Sequence, residues 1–260
     1  MANSLTVAVI QTDLIWENPE ANRKNFDDKI NAITASVDLI ILPEMFTSGF
    51  TMNATNVTET MNGKTISWLK QHAKQKQCAI TGSLVIQEDG NYYNRLVFIE
   101  PTGKLTQYDK RHTFTLAGEH KVYTAGTKRI TLEYKGWRIC PLICYDLRFP
   151  VWARNTDDYD LLFYVANWPK PRISAWDALL KARAIENMSY CIGVNRVGLD
   201  GSKYEYPGHS GVYDVLGNRI DQFEPNKEMS EIVTLEKEHI QKYRNRLNFL
   251  NDKDSFSLEV

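Results

Sequence analysis

The chain has 260 residues, enough for one large domain or two small ones, and its composition is that of a soluble globular protein. Its 31 Lys and Arg against 32 Asp and Glu give a formal net charge of −1, which offers no electrostatic reason to expect a nucleic acid or an anionic membrane as partner. No apolar run is long enough to span a bilayer, and Met1-Ala2-Asn3-Ser4-Leu5 lacks the basic segment and apolar stretch of a signal peptide.

Leu5 to Ile10 is apolar and β-branched and reads as a buried strand. Asn18-Pro19-Glu20 starts a helix, with Asn18 as cap and Pro19 in the first turn; Phe26, Ile30 and Ile33 give it one apolar face. Val37 to Leu42 is a second strand ending at Pro43-Glu44. Thr47 to Thr60, rich in Thr and Asn, reads as a loop, and Ile66, Leu69 and Ala73 mark another helix. Cys78 to Ile86, a turn at Asp89-Gly90-Asn91 and Tyr92 to Ile99 form a hairpin. A further turn at Pro101 to Lys104 leads to Tyr108-Asp109-Lys110. Arg111 to Lys128 shows no period and reads as a long loop of the kind that often carries function.

Ile130 to Tyr134 and Trp137 to Ile143 form a second hairpin, which delivers Cys144 at a strand end. Pro150 follows as a first helical position. Asp160 to Val165 is a strand ending at Ala166-Asn167-Trp168-Pro169. The next helix carries Ile173, Trp176, Leu179, Leu180 and Ile185, and Tyr190 to Val197 is a strand. Gly211 to Leu216, Gly217-Asn218 and Arg219 to Phe223 read as a hairpin, Glu231 to Leu235 as a last strand, and the charged tail from Lys237 as a short helix with an extended end. Strands and helices alternate, with hairpins inserted, so a mixed α/β arrangement of sheets covered by helices is expected.

Three strand ends carry groups that chemistry can use. Cys144 reads either as a small buried hydrophobe or as a nucleophile, held where unpaired helix-start amides can face an anion. Glu44 reads as a general base or a solvated carboxylate, and Lys110 as a fixed cation or one lysine in a surface charge run. Cys78, Cys140 and Cys191 lie in apolar runs, as reduced thiols in the cytoplasm do. Cys140 and Cys144 are too far apart along a strand to form a bridge. The five histidines fit no metal-ligand spacing, so neither metal nor cofactor is expected.

Leu42-Pro43-Glu44-Met45-Phe46, Tyr108-Asp109-Lys110-Arg111-His112 and Ile143-Cys144-Tyr145-Asp146-Leu147-Arg148-Phe149-Pro150, in that order, resemble the nitrilase superfamily of carbon–nitrogen hydrolases. The resemblance runs from the first strand to the last hairpin. It implies a four-layer α-β-β-α sandwich, here a single domain over residues 1–260 with 237–260 as a C-terminal extension. It also implies a catalytic triad of Glu44, Lys110 and Cys144, with Glu119 in Ala117-Gly118-Glu119-His120 matching a second glutamate of the family. Lys110 to Phe114 with Gly118-Glu119-His120, Asn167-Trp168-Pro169 and Lys181 to Asn187 look like the omega-amidases, which hydrolyse the terminal amide of 2-oxo acids such as 2-oxoglutaramate and 2-oxosuccinamate. A homodimer is expected on the same ground, through Pro150 to Asn155 and the helix from Ile173.

Such a substrate is a small anion, and arginine pairs well with carboxylates. Arg172 reads equally as its partner or as a surface member of the Lys170-Pro171-Arg172 cluster. His112 and Tyr145 are expected to add hydrogen bonds, and Phe114 and Trp168 to wall the pocket. Arg148 and Asp146 read as structural partners rather than catalysts. The competing readings are another small-amide or N-carbamoyl hydrolase, an acyltransferase using the same thioester, and a noncatalytic small-molecule binding module. The last has no need of all three of Glu44, Lys110 and Cys144.

Overall fold

Two apolar faces on one strand set the layering. In the computed structural model, which describes residues 3–259, Ser4–Gln11 (β1) turns Leu5, Val7 and Val9 to one side and Ala8 and Ile10 to the other. Both sides are buried, so β1 lies inside the molecule. Pro19–Ala32 (α1) starts as its sequence demands, with Asn18 Oδ1 accepting from Ala21 N. Leu39–Ile41 (β2) is followed by the short helix Ala54–Val57 (α2), by Lys64–Lys76 (α3), and by the long hairpin Ala79–Glu88 (β3) and Asn91–Ile99 (β4). Leu105–Asp109 (β5) completes this half.

The second half runs Leu132–Tyr134 (β6), Trp137–Ile143 (β7), Pro150–Ala153 (α4), Leu161–Ala166 (β8), Ile173–Asn187 (α5) and Tyr190–Asn195 (β9). After it come Val197–Leu199 (β10), Glu205–Pro207 (β11), Gly211–Tyr213 (β12), Met229–Glu236 (β13) and Lys237–Leu247 (α6).

The strands build a six-stranded sheet, β13-β1-β2-β3-β4-β5, and a five-stranded sheet, β12-β9-β8-β7-β6. Leu5, Val7, Val9, Leu39 and Ile41 of the first share a core with Ile139, Leu142 and Val194 of the second. On the outer face of the six-stranded sheet, Phe26 and Ile30 of α1 and Ile66 and Leu69 of α3 pack on Ala8, Ile10, Ile40 and Ile80. On the far side, α5 presses Trp176 and Leu180 so closely on β9 that a Cβ on Gly193 would lie 2.3 Å from Leu180 Cδ1. The order is helix, sheet, sheet, helix, the four-layer sandwich expected. Parallel neighbours β1-β2-β3 and β7-β8-β9 bring successive strand ends to one edge of the molecule, which is where ligands gather in α/β sheets. Among the described residues no helix is long and apolar enough to cross a membrane.

Three expectations need correction. The Thr47 to Thr60 segment is not all loop, since it contains α2. The strand expected over Tyr190 to Val197 breaks at Arg196, and β10 pairs with β11 in a separate two-stranded ribbon. The hairpin expected over Gly211 to Phe223 keeps β12 but has no returning strand, only one bridge between Tyr213 and Arg219. Carboxylates capture the backbone there: Asp214 Oδ1 accepts from Leu216 N and Asn218 N, and Asp221 accepts from Val212 N and Phe223 N. Such local bonds compete with a ladder.

Candidate active site

Glu44 follows β2 with no side-chain exposure, so it is not a solvated loop carboxylate. Its carboxylate is full of partners. Oε1 accepts from Lys110 Nζ at 2.9 Å and from Asn94 Nδ2 at 2.8 Å; Oε2 accepts from Asn167 N at 2.8 Å. Asn167 Nδ2 also donates to the Glu44 carbonyl at 2.7 Å, tying the end of β2 in one sheet to the end of β8 in the other. The next residue, Met45, is in the left-handed region at φ 43°, a conformation that a non-glycine residue adopts only when its surroundings enforce it.

Lys110 follows β5 and is buried. Asn94 O accepts its backbone N–H at 3.0 Å, and its carbonyl accepts from Gly126 N at 2.9 Å. Glycine is required at 126, because a Cβ would fall 2.1 Å from Asp109 O. Lys110 Nζ reaches Glu119 Oε1 and Oε2 at 3.0 and 2.9 Å as well as Glu44. Glu119 is fully buried on a 3₁₀ turn of the long loop and also accepts from Phe114 N and, at 3.4 Å, from Asn94 Nδ2. One ammonium and one amide thus bridge two buried carboxylates.

Cys144 caps β7 and begins a 3₁₀ turn through Arg148, at φ 44°. Asp146 pins this turn: it accepts from Ile143 N at 3.1 Å, from Tyr108 Oη at 2.7 Å and from His112 N at 2.9 Å. The Cys144 Sγ lies 4.0 Å from Asn167 O. The charges set the proton inventory. Burial, and then the Glu44 carboxylate, push the Cys144 thiol well above its ordinary value, and Lys110 only partly opposes them. Burial opposes the Lys110 charge, but Glu119 and Glu44 outweigh it and raise its proton affinity. Burial likewise raises Glu119 against the pull of Lys110. The resting thiol therefore keeps its proton, and attack by sulfur requires a neighbouring base.

Cys144, Lys110 and Asn167 open into a cavity of about 380 Å³, also lined by Tyr145, Phe114, Trp168 and Arg172. His112 does not reach it. Its ring stacks flat on Phe149 with centroids 3.6 Å apart, and its Nδ1 lies 2.8 Å from Asp146 Oδ1, so it supports the Cys144 turn from behind. Arg172 lines the wall with its guanidinium 5.1 Å from the Phe114 ring centre. Arg148 is not the structural partner of a carboxylate that the sequence implied. It lines the same cavity, 5.0 Å from the Trp168 ring centre. Among the described residues neither arginine forms a salt bridge of 4.0 Å or less.

Sequence reasoning missed several contributors. Phe50 from the Thr47 to Thr60 segment places its ring 5.1 Å from Lys110 Nζ, and Tyr204 and Tyr206 line the cavity from the β10–β11 ribbon. Asn94 and Asn167 are the clearest omissions. For Asn167 the available signal was an amide closing the apolar run Leu161 to Ala166, where a buried polar group must find partners; Asn94, between Tyr93 and Arg95, carried no such signal.

The carbon–nitrogen hydrolase family model matches residues 6–245. The chain is 43% identical to an omega-amidase, YafV, of Yersinia enterocolitica over 98% of this chain and 99% of that one. It is 33% identical to a 2-oxoglutaramate amidase of Bacillus subtilis over 82% and 83% of the two chains. Among solved structures it superposes with a TM-score of 0.97, at 40% identity and over 99% and 100% of the chains, on XC1258 of Xanthomonas campestris, a member of the same superfamily described with an arsenic adduct in its active site.

Proposed function

The chain belongs to the carbon–nitrogen hydrolase family, and from that membership we propose that it is an omega-amidase, releasing ammonia from the terminal amide of short 2-oxo acid monoamides such as 2-oxoglutaramate and 2-oxosuccinamate. The observation that carries the reading is the cavity itself. Its lining holds Cys144 and Lys110 and also Arg148 and Arg172, neither of which forms a salt bridge of 4.0 Å or less among the described residues. A site of that kind suits a small amide whose other end is anionic.

In this reading Glu44 takes the thiol proton and Cys144 Sγ attacks the amide carbon. Lys110 Nζ and the backbone N–H of Tyr145 stabilise the oxyanion of the tetrahedral intermediate. The proton passes from Glu44 to the leaving nitrogen, ammonia departs, and a thioester remains. Water, deprotonated by the same carboxylate, attacks the thioester and releases the dicarboxylate and the thiol. Glu119 acts through Lys110, holding the ammonium in place. Arg172 and Arg148 take the carboxylate and 2-oxo end, with Tyr145, Phe114 and Trp168 as walls.

The test is ammonia release across short amides with and without the 2-oxo and carboxylate groups. The 2-oxo acids are expected to give the highest kcat/KM. Arg172→Met is expected to raise KM for 2-oxoglutaramate about 10-fold, the loss of one charged hydrogen bond of roughly 1.5–3 kcal/mol, and to affect hexanamide much less. A wild-type enzyme that prefers neutral amides, or equal effects of the variant on both, would contradict the reading.

A further inference from the structure

Asn94 sits on β4 beside the end of β5 and is 1% exposed. Three features of this residue go beyond what packing alone requires. Nδ2 donates to Glu44 Oε1 at 2.8 Å and lies 3.4 Å from Glu119 Oε1, so one amide group reaches both carboxylates. Its backbone carbonyl receives the Lys110 N–H at 3.0 Å, so the residue that aligns the two acids also fixes the residue that neutralises them. Among the described residues its Oδ1 has no hydrogen-bond partner, so the amide is oriented from its nitrogen side. The reversed amide would set a carbonyl oxygen against two carboxylates, which electrostatics forbids.

We infer that Asn94 is a positioning residue for the proton-transfer chemistry: its amide holds Glu44 and Glu119 in fixed register around Lys110 and, as an uncharged donor, favours the ionised form of the carboxylate pair. The inference rests on the reading of Glu44 and Cys144 as base and nucleophile. The groups that face the pair are Lys110 from the end of β5, Cys144 from the end of β7 and Tyr123 from the long loop. The Tyr123 hydroxyl is committed to Thr51 O at 2.7 Å. Lys110 is therefore the only cation among them, and it is shared between two acids. Asn94 Nδ2 is the uncharged donor that both acids share, whereas the backbone N–H groups of Asn167 and Phe114 each serve only one of them. A second ammonium would trap the carboxylates as ions.

The direction of the effect follows. Removing the N–H donors destabilises the ionised pair, so the carboxylates hold their protons to higher pH and the acid limb of any base-dependent rate moves upward. Asn94→Leu keeps the branched shape and the number of heavy atoms, at some gain in volume, and removes the donors. Asn94→Asp keeps the shape and replaces a donor by a like charge.

Two profiles against pH are read on the full-length wild type and each variant: alkylation of Cys144 by iodoacetamide, located by mass spectrometry, and kcat/KM for 2-oxoglutaramate. Alkylation needs no substrate, and Cys78, Cys140 and Cys191 are buried. The acid limb is expected to move up by about one pH unit in Asn94→Leu and further in Asn94→Asp, with the loss in kcat rather than KM. A rate lowered equally at every pH with the limb in place is the mark of a packing role and overturns the inference. If Asn94→Leu does not fold, Asn94→Asp decides by the same criterion. If the wild type does not turn over 2-oxoglutaramate, the substrate reading fails while the alkylation profiles still judge Asn94.

Discussion

Lys110 carries its charge at the cavity lining with only 1% of its surface exposed, and two carboxylates share it. Removing such a cation leaves two buried acids facing each other, and breaking a buried pair costs about 3–5 kcal/mol. Lys110→Ala is therefore expected to lower both stability and turnover, the latter by about 100-fold or more if the ammonium faces the oxyanion. Glu44→Gln preserves volume but cannot take a proton, and is expected to abolish most of kcat while KM stays within a few-fold. Steady-state kinetics with a urea titration separates the two effects; normal turnover in either variant would remove that residue from the mechanism. Glu44 and Cys144 close apolar strands and Lys110 closes the half-exposed Leu105–Asp109, but each alone also had an ordinary structural reading; they were legible because their three motifs occur in order, as in the superfamily they resemble. Arg148 and His112 were not, because both depend on the 3₁₀ turn after Cys144. That turn sends Asp146 inward to take the His112 N–H and Arg148 outward over Trp168. Such a turn has no sequence period to read.

At the level of elements, the strands with β-branched or uninterrupted apolar runs were readable, since two-sided burial leaves that record in β1, β7 and β8. The run from Tyr190 to Val197 misled for the same reason: it is apolar on both sides of Arg196, and periodicity shows no break. The break comes from the buried guanidinium. Arg196 Nε donates to Val197 O at 3.0 Å and Nη2 to Leu199 O at 3.0 Å and Leu14 O at 3.2 Å, and Nη2 also pairs with the Asp13 carboxylate, so its charge is met by carbonyls of the ribbon and by the segment after β1. Asp200 completes the ribbon, accepting from Ser202 N, Tyr204 N and the Tyr206 hydroxyl. Only the bonds to Leu14 O and Asp13 are long-range; the others are local side-chain-to-backbone and side-chain bonds within the ribbon, which have no sequence period. A single sequence does not display them, and yet they place Tyr204 and Tyr206 on the cavity wall.

For the molecule as a whole, deep burial of thiols predicts an alkaline limit to stability. Burial pushes Cys78 up to about 11 and Cys140 up to about 12, with Lys76 and Arg129 respectively the leading opposing charges. Both start from an ordinary value of 9.0. Well below pH 9 neither thiol is appreciably ionised in either state and their contribution is complete. As pH rises from 9, the unfolded thiols lose protons first, so stability falls until the folded thiols ionise near 11 and 12. Each group costs up to about 1.4 kcal/mol per pH unit in that window. The urea midpoint is expected to be lower at pH 10.5 than at pH 8, and an unchanged midpoint would show that these thiols are not sequestered as described.

The central claim, that Cys144 carries the acyl group of a 2-oxo acid amide, is tested most directly by quenching the enzyme in acid during turnover of 2-oxoglutaramate and weighing the intact chain and its Cys144 peptide. The account predicts a 2-oxoglutaroyl thioester on Cys144, formed with one equivalent of ammonia and absent in Cys144→Ala. Ammonia release at the wild-type rate by Cys144→Ala, or an adduct confined to another residue, would contradict it.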